Sequence, residues 1–299
     1  MDTPAKKLPA KPKTAVKKKP AVGKKAPVKQ KGKQQQETWF PWKTLLAGAL
    51  LILLSPFYYG YIVKTFTTSW QWIKDIGQNP NYRVYKSFGI GIPRKYSIHG
   101  IDVSYAQGKI DWHQVKAMQE DSVQVSFAFI KATEGLLTVD PYFKRNWREA
   151  PKVGLICGAY HFFRPEKNGV WQARFFLQNV DLEKGDLPMV VDIEQLDGVP
   201  PAQMRKELQR FLDFVEKKTK AKPIIYSGLS FYQDYLMGYF DAYPYWIAHY
   251  YKEKLKINPA TNWWFWQHSD KAKVNGINHL VDFNAFKGDG FAFEKLLVP

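Results

Sequence analysis

The sequence predicts an α/β domain built round a parallel sheet, because strand-like and helix-like segments alternate from about Tyr96 to the end of the 299-residue chain. Alternation over about 200 residues suits a barrel of parallel strands surrounded by helices. Seven short segments rich in β-branched and aromatic residues are the predicted strands. They are His99–Val103, Val125–Ile130, Gly154–Phe163, Met189–Ile193, Pro223–Tyr226, Tyr245–Ala248 and Trp263–Gln267.

Three segments between these strands have the pattern of helices. Trp112–Glu120 follows Asp111, and Gln114 lies three residues after that aspartate, which is the order of an N-terminal cap. Val170–Val180 is the second segment. Pro201–Lys218 is the clearest, because its apolar residues recur every three or four positions and so form one face. These apolar residues are Met204, Leu208, Phe211, Leu212 and Val215.

The first 43 residues are predicted to be a disordered basic tail. Up to residue 38 they contain twelve lysines against Asp2 and Glu37, and they lack aromatic residues. Such a segment cannot bury enough apolar surface to offset its ordering entropy. Much of the net charge of +17 therefore belongs to the tail. A tail of this kind can bind nucleic acid or an anionic membrane face, but a solvated signal that sets membrane topology is the favoured interpretation. No nucleic acid is expected to bind the folded domain.

Residues 44–63 are predicted to be a transmembrane signal anchor that contacts the lipid bilayer. This run has no formal charge and is long enough to cross the hydrocarbon core as a helix. Trp and Tyr residues near its ends are typical of interfacial anchors. A cleaved signal peptide is the alternative, but the long preceding tail and the lack of a clear small-residue cleavage site disfavour it.

The distribution of lysines predicts how the chain is oriented in the membrane. Because they precede the span, residues 1–43 are expected in the cytoplasm and the rest outside the cytoplasmic (inner) membrane, as in a single-pass protein. Residues 64–95 are predicted to be a juxtamembrane stalk, with a short helix at Ser69–Ile76. Residues 96–299 are the predicted globular domain.

Asp192 and Glu194 end the fourth predicted strand, two positions apart. Alternate residues of a strand point to the same side, so both acids are expected to face one space. Two carboxylates in one cleft are the minimum equipment for cleaving a glycosidic bond. The plainer alternative is a strand end with two solvated acids.

Polar residues also recur at the other strand ends, where barrels of this kind have their catalytic residues. They are Asp102, Lys131, Glu134, Tyr160, His161, Tyr226, Trp246, Tyr250, Gln267 and Asp282.

The sequence shows no pattern typical of a metal or cofactor site. The six histidines lack the HxxxH and HExxH spacings of metal ligands. Gly-rich phosphate loops and a nucleophilic serine elbow are also absent from the sequence. No cofactor is therefore expected. His161 is predicted to lie either in the cleft or in the core. The single cysteine, Cys157, cannot form an internal disulfide and is expected to be buried and inert.

Together these motifs resemble glycoside hydrolase family 25, the Chalaropsis-type lysozymes, which are N-acetylmuramidases. The matching segments lie in the order that the family has, and they span nearly all of residues 98–287. They are Gly100–Gly108 with Ile110–Trp112, Phe129–Gly135, Gly158–Phe163, Leu187–Glu194, Pro223–Tyr226, Trp246–Ala248, Trp266–Gln267 and Val281–Asn284. The tail, the span and the stalk have no counterpart in the catalytic module of the family.

The resemblance implies an irregular TIM-like (β/α) barrel with fewer than eight helices. It also implies hydrolysis of the β-1,4 bond between N-acetylmuramic acid and N-acetylglucosamine in peptidoglycan. The acidic quartet of the family falls on Asp102, Asp192, Glu194 and Asp282. Glu194 would be the general acid. Asp192 would either stabilise the oxocarbenium-like transition state or orient the substrate's own 2-acetamido group as nucleophile. Asp102 and Asp282 would help to keep Glu194 protonated. The implied sugar-binding residues are Tyr160, Tyr226, Trp246, Tyr250 and Gln267.

Three other functions stay open at the level of sequence. The same site can act on another N-acetylated glycan, such as chitin. The domain can instead be a non-catalytic, membrane-tethered glycan-binding module, which the intact acidic quartet disfavours. The tail by itself can bind nucleic acid, and such binding would weaken as salt rises. The predicted topology supports the peptidoglycan hydrolase over these three alternatives, because it places the domain on the side of the membrane where peptidoglycan lies.

Overall fold

The computed structural model describes residues 42–53 and 81–299 of the chain. The strands are β1 Tyr82–Tyr85, β2 Ile90–Pro93, β3 His99–Val103, β4 Gln119–Glu120, β5 Val123–Glu134, β6 Thr138–Val139, β7 Ile156–Phe162, β8 Val190–Asp192, β9 Ile224–Gly228, β10 Tyr245–Ala248, β11 Trp263–Ala272 and β12 Val281–Phe286. The α-helices are α1 Trp42–Leu53, α2 Trp112–Ala117, α3 Phe143–Glu149, α4 Gly169–Asn179, α5 Pro201–Thr219, α6 Leu229–Phe231 and α7 Gly290–Glu294.

Eight of these strands close into a barrel, in the order β3, β5, β7, β8, β9, β10, β11 and β12. Neighbours from β3 to β11 are parallel, whereas β12 is antiparallel to both β11 and β3. The predicted α/β barrel is confirmed. The sequence pattern, however, predicts only seven strands, and Asp282 follows the last of them. Asp282 lies instead at the start of an eighth strand, which a short antiparallel connection can reach without a crossover helix.

Helices cover only part of the barrel. In the described part of the chain, a helix follows each of β3, β5, β7, β8 and β9, and none lies between β10 and β11 or between β11 and β12. The expectation of fewer than eight helices is confirmed for these residues. The three predicted helices correspond to α2, α4 and α5. All five apolar residues of the predicted α5 face are buried.

Aromatic rings fill the interior of the barrel. Phe127 and Phe129 of β5 lie on the inward face of the strand, and the ring of Phe129 stacks on that of Trp246 with 4.5 Å between centroids. Two glycines on neighbouring strands make room for these rings. A Cβ atom at Gly100 would lie 2.4 Å from the ring of Phe127, and one at Gly158 would lie 2.7 Å from that of Phe129.

The short helix α7 closes one end of the barrel. The ring of Phe293 lies 5.6 Å from that of Phe127 and 5.0 Å from that of Phe286, centroid to centroid. Phe127 lies in the first half of its parallel strand and Phe286 ends the antiparallel β12, so this apolar end is the one at which the parallel strands begin. Polar side chains are therefore left to the opposite end.

Part of the predicted stalk is folded into the domain. β1 and β2 form an antiparallel hairpin, and Phe88 between them is fully buried, 5.2 Å from the ring of Phe283 on β12. Burial of this ring is favourable because it removes a large apolar surface from water. The folded part of the chain therefore begins before Tyr96, the boundary that the sequence predicts.

The predicted membrane anchor lies only partly within the described residues. Helix α1 covers the first part of the range 44–63, and the remainder of that range is not described. Residues 1–41 of the predicted tail and the predicted helix Ser69–Ile76 also lie outside the described residues. Among the helices that are described, none has both the length and the apolar character needed to cross a bilayer. Membrane anchoring therefore stays a prediction.

Two buried histidines flank the ring of Phe283 between the barrel wall and its covering layer. The rings of His99 and His268 lie 5.8 and 5.7 Å from it, between centroids. Neither ring nitrogen of His268 has a hydrogen-bond partner among the described residues. Burial, and then the nearby His99, lowers the pKa of His268 to about 3, and burial lowers that of His99 to about 4. Both rings are therefore neutral in the folded protein at pH 7.

We expect His268→Leu to make the fold less sensitive to acid. In the wild type, the unfolded chain binds a proton at this histidine near pH 6.5, whereas the folded chain does so only at about pH 3. The free energy of unfolding therefore falls on acidification between these values, by about 1.4 kcal/mol per pH unit for this one group. The variant should lack that contribution, which urea unfolding between about pH 6.5 and pH 4 measures. The exposed His279→Leu is the control, and equal slopes in wild type and His268→Leu would contradict the prediction.

Candidate active site

A polar cavity of about 320 Å³ lies at the end of the barrel opposite α7. All nine candidate residues that the sequence analysis selects line this one cavity. They are Asp102, Asp192, Glu194, Asp282, Tyr160, Tyr226, Trp246, Tyr250 and Gln267. The fold therefore brings together side chains that are widely separated in the sequence. Their common location is an observation, whereas the role of each stays a prediction.

Strand direction explains why the acids meet. The carboxyl ends of parallel strands collect at one end of a barrel, and Asp102 and Asp192 lie at that end of β3 and β8. β12 runs the opposite way, so Asp282 reaches the same end from near the start of its strand. In the antiparallel ladder Asp282 lies directly opposite Asp102. Residues in such a pair have Cβ atoms about 4.5–5.5 Å apart, so these two carboxyl groups are held close.

The floor of the cavity is a directed hydrogen-bond network centred on Gln267. The hydroxyls of Tyr226 and Tyr250 donate to Gln267 Oε1, at 2.7 and 2.8 Å. Gln267 Nε2 donates to Asp102 Oδ2 at 2.8 Å, and Asn284 Nδ2 donates to the same oxygen at 2.7 Å. Because the amide oxygen of Gln267 accepts from both phenols, its NH₂ group is directed at Asp102. The network therefore supplies two donors to one carboxylate oxygen.

Trp246 is fixed in the wall of the cavity by three contacts. Its Nε1 donates to Asn284 Oδ1 at 2.8 Å, its ring stacks on Phe129, and the edge of Tyr226 packs against it at 4.4 Å between centroids. Only 2% of Trp246 is exposed, so it offers a rigid apolar wall with little accessible face. Tyr105, which the sequence analysis does not select, lines the same cavity and is 62% exposed. This ring is the more accessible stacking surface.

The facing pair Asp102 and Asp282 holds protons unequally. Burial raises the pKa of Asp102 to about 6, although its hydrogen bonds from Asn284 and Gln267 favour the charged form. Burial, and then the charge of Asp102, raises the pKa of Asp282 to about 9. Like charges this close resist ionising together. At neutral pH, Asp282 is therefore the member of the pair that keeps its proton.

Asp192 and Glu194 form a second pair, and both line the cavity as their spacing predicts. Asp192 is 6% exposed, and its Oδ1 has no hydrogen-bond partner within residues 42–53 and 81–299. Burial, and then the charge of Glu194, raises the pKa of Asp192 well above its ordinary value. Glu194 as a residue is exposed, but its carboxyl lies among the cavity side chains. This loss of hydration raises the pKa of Glu194, against the opposing effects of Tyr226 and Lys131.

Lys131 also belongs to the cavity. Its only signal in the sequence is its position directly after the second predicted strand. It lines the cavity, and its Nζ donates to Glu134 Oε2 at 2.7 Å. Arg164 donates to the other oxygen of Glu134, and both cations lie over the ring of Phe162, at 4.9 and 4.8 Å from its centroid. Lys131 lowers the pKa of both acids of the second pair. It therefore supplies positive charge to a cavity rich in carboxyl groups.

Asn284, which donates to Asp102 and accepts from Trp246, is a further functional residue that the sequence does not single out. The available signal was its position two residues after Asp282, on the same face of a strand.

His161, for which the sequence left both cleft and core open, lies in the core. Its Nδ1 is 2.7 Å from Thr133 Oγ1, and its ring stacks on Phe211 at 5.2 Å between centroids. Cys157 is buried, as expected. Among the described residues, no group of histidine, cysteine and acidic side chains is arranged to hold a metal ion.

Comparison with known proteins identifies the family. The family model described as Glycosyl hydrolases family 25 matches residues 101–277, which is more than half of the chain. This chain belongs to glycosyl hydrolase family 25. The uncharacterized protein YegX of Escherichia coli O6:H1 is 48% identical over 244 residues, which are 82% of this chain and 89% of that protein. Lysozyme M1 of Streptomyces globisporus is 32% identical over 241 residues, 72% of this chain and 80% of that protein.

Solved structures of family 25 proteins share the fold of this chain. A bacterial lysozyme from Streptomyces coelicolor superposes with a TM-score of 0.61 at 33% identity, covering 67% of this chain and 96% of that one. A family 25 glycosyl hydrolase from Bacillus anthracis gives 0.62 at 31% identity, covering 73% of this chain and 98% of that one. This family 25 member is therefore a glycoside hydrolase related to lysozymes.

We expect Asp102→Asn to lower the pKa of Asp282 from about 9 towards its ordinary range. Asparagine has the shape of aspartate but removes the charge that lies opposite Asp282, so ionising Asp282 becomes easier. A carbon-detected NMR titration of aspartate carboxyls in the family 25 domain measures this shift. Asp289→Asn is the control, since Asp289 caps α7 at the other end of the barrel and asparagine caps as well. An Asp282 pKa that does not move in Asp102→Asn would contradict the electrostatic coupling.

Proposed function

We propose that this protein is a membrane-tethered lysozyme that hydrolyses the β-1,4 bond between N-acetylmuramic acid and N-acetylglucosamine in peptidoglycan. The observation that carries the proposal is the convergence of four carboxyl groups on one cavity, in environments that raise the pKa of each. Holding like charges together costs free energy. A module that only binds a glycan does not require that cost, whereas proton transfer to a leaving oxygen does.

Glu194 is the proposed general acid. It is the most exposed of the four acids, so it lies where the glycosidic oxygen of a long polymer can approach. Its raised pKa keeps a larger fraction of the carboxyl protonated near neutral pH than in an ordinary glutamate. Donation of that proton to the leaving oxygen allows the bond to break without a free alkoxide. Glu194 is then charged and can act as base towards the incoming water.

Asp192 is the proposed partner carboxylate. Its Oδ1 has no hydrogen-bond partner among the residues that the structure describes, so it can accept a hydrogen bond from an N–H or O–H group of a bound sugar. A hydrogen bond to the charged form would lower the pKa of Asp192 and favour its carboxylate. Lys131 favours the same form. The negative charge then stabilises the positive charge that develops at the sugar ring as the bond breaks.

We expect Glu194→Gln to lose activity by about 10²- to 10⁴-fold, the usual contribution of a general acid, while its thermal melting is unchanged. The full-length protein is incubated with purified peptidoglycan, and new reducing ends are identified by mass spectrometry after borohydride reduction. New N-acetylmuramic acid ends, absent with Glu194→Gln, are the expected result. Glu294→Gln, on the exposed side of α7, is the matched control and should act like wild type.

Three outcomes would overturn parts of this assignment. An unchanged rate in Glu194→Gln would remove Glu194 from the acid role. Glucosamine-type reducing ends would show that a different bond is cut. Retention of the wild-type protein on peptidoglycan without any cleavage would favour a glycan-binding module.

The proposed location is the inner membrane, with residues 1–43 in the cytoplasm and the catalytic domain outside. The support is the uncharged run at residues 44–63 and the lysines that precede it. This topology places the acidic cavity in the compartment that contains peptidoglycan.

Deletion of residues 44–63 should transfer the protein from the membrane pellet to the soluble fraction, because it removes the apolar helix that the bilayer would hold. Cell fractionation with immunodetection measures this. Deletion of residues 5–24, of equal length but within the basic tail, is the control and should leave the protein in the pellet. Recovery of the 44–63 deletion in the membrane fraction would contradict the proposed anchor.

A further inference from the structure

The segment between β10 and β11 forms a second cavity beside the catalytic one. It has a volume of about 570 Å³ and is lined by His249, Tyr251, Lys252, Glu253, Lys254 and Lys256. Three lysines against one glutamate make this cavity basic, whereas the catalytic cavity is rich in acids. The two cavities are neighbours, since Tyr250 lines the catalytic one and the next residue lines the basic one. The rings of these two tyrosines lie 6.1 Å apart, between centroids.

Tyr251 is built into the boundary between the two cavities. Its φ of 56° is in the left-handed region, which costs free energy for a residue with a side chain. Its hydroxyl donates to Asp270 Oδ1, and Lys271 Nζ lies 4.8 Å from its ring centroid. These contacts on β11 hold the strained turn in place. The turn sends successive tyrosines into different cavities.

The sequence itself directs the lysines of this segment to the surface. Lys252, Lys254 and Lys256 are exposed, while Leu255 and Ile257 are partly buried and pack against the core. Apolar side chains at alternate positions therefore anchor the segment and leave the ammonium groups outside. None of the three lysines has a hydrogen bond or an ion pair with any other residue that the structure describes. Three exposed cations along one anchored segment are a binding surface for an anionic chain.

His249 adds an unpaired donor or acceptor at the back of the basic cavity. Its Nδ1 is buried and has no hydrogen-bond partner in the described ranges. Burial, and then the charges of Lys252 and Lys256, lowers the pKa of His249, so these lysines act directly on its ring. The backbone of His249 is held on both sides, because Trp266 Nε1 donates to its carbonyl oxygen at 2.9 Å and its own N–H donates to the Gln267 carbonyl oxygen at 3.0 Å.

We propose that the basic cavity binds the carboxylates of the peptide stem that N-acetylmuramic acid bears, and so makes this enzyme prefer peptide-substituted glycan. The inference rests on the proposed function, which identifies the polymer. In peptidoglycan the stem is attached to the lactyl group of the sugar on one side of the bond that is cut. It therefore leaves the cleft close to the catalytic cavity. Its glutamate and diaminopimelate residues carry several carboxylates, which match cations spaced along an extended segment.

Binding of a soluble muramoyl peptide tests the inference without any cleavage. The probe is N-acetylmuramoyl-L-alanyl-γ-D-glutamyl-meso-diaminopimelic acid, titrated calorimetrically into the full-length protein at low salt. The combined variant Lys252→Ala, Lys254→Ala and Lys256→Ala should bind it roughly tenfold more weakly, since three exposed ion pairs are lost. The matched control is Lys206→Ala, Lys217→Ala and Lys218→Ala, which removes equal charge from the exposed face of α5. It should bind like wild type.

A second arm uses turnover. On peptidoglycan with intact stems the three-lysine variant should show a raised KM and an unchanged kcat. On glycan strands from which an amidase has removed the stems, it should match wild type. This difference between the two substrates distinguishes a binding contact from a general structural defect, because a structural defect would lower the rate on both substrates.

The two arms also distinguish failure of this inference from failure of the proposed function. A wild-type protein that binds the muramoyl peptide through these lysines but cuts no glycan would overturn the proposed lysozyme activity and leave the inference standing. Equal affinity of wild type and the three-lysine variant would overturn the inference. The inference would also be overturned if the wild-type protein bound a probe with amidated carboxyl groups as tightly as the probe with free carboxylates. If the three-lysine variant keeps its peptide affinity, and the same substitutions in the 44–63 deletion weaken binding to phosphatidylglycerol vesicles, the inference would also be overturned and the lysines would be assigned to a lipid surface.

Discussion

The pairing of β12 between β11 and β3 is the constraint on which the site depends. This single antiparallel strand closes an otherwise parallel barrel, and it places Asp282 opposite Asp102 at the open end. The same register sets Asn284 beside Gln267, so both amides donate to one oxygen of Asp102. The pairing of β12 therefore both closes the barrel and brings the acid cluster together. The free energy of barrel packing, with aromatic rings at one end, offsets the repulsion between acids at the other.

The acids of the cavity are distinguished by their surroundings rather than by their chemistry. Asp102 has two amide donors, one oxygen of Asp192 has no partner in the described part of the chain, and Glu194 lies at the exposed mouth. Burial raises the pKa of each, and the charge of Glu194 raises the pKa values of Asp102 and Asp192 further. Acid and base steps in one site require carboxyl groups with different pKa values. Lys131, held by Glu134, limits the accumulated negative charge from one side.

The two cavities divide recognition between opposite charges. An acidic cleft suits a neutral sugar backbone whose linking oxygen must receive a proton. A basic cavity next to it suits the charged substituent of the same polymer. The left-handed turn at Tyr251 separates the two, and contacts to β11 hold that turn. A substrate that is neutral along its backbone and anionic along its side chains can therefore be recognised in both parts at once.

The sequence by itself determined the local patterns. Alternation along the fourth predicted strand indicated that Asp192 and Glu194 face one space, although the observed β8 ends at Asp192. Apolar spacing predicted the buried face of α5, and polar residues at strand ends predicted the lining of one cavity. These depend on the period of a strand or a helix, which a single segment specifies. Tertiary structure alone decided the direction of β12, the Asp102–Asp282 pair, the orientation of Gln267 and the placement of His161 in the core. Each of these depends on which distant strands become neighbours, and no local period contains that information.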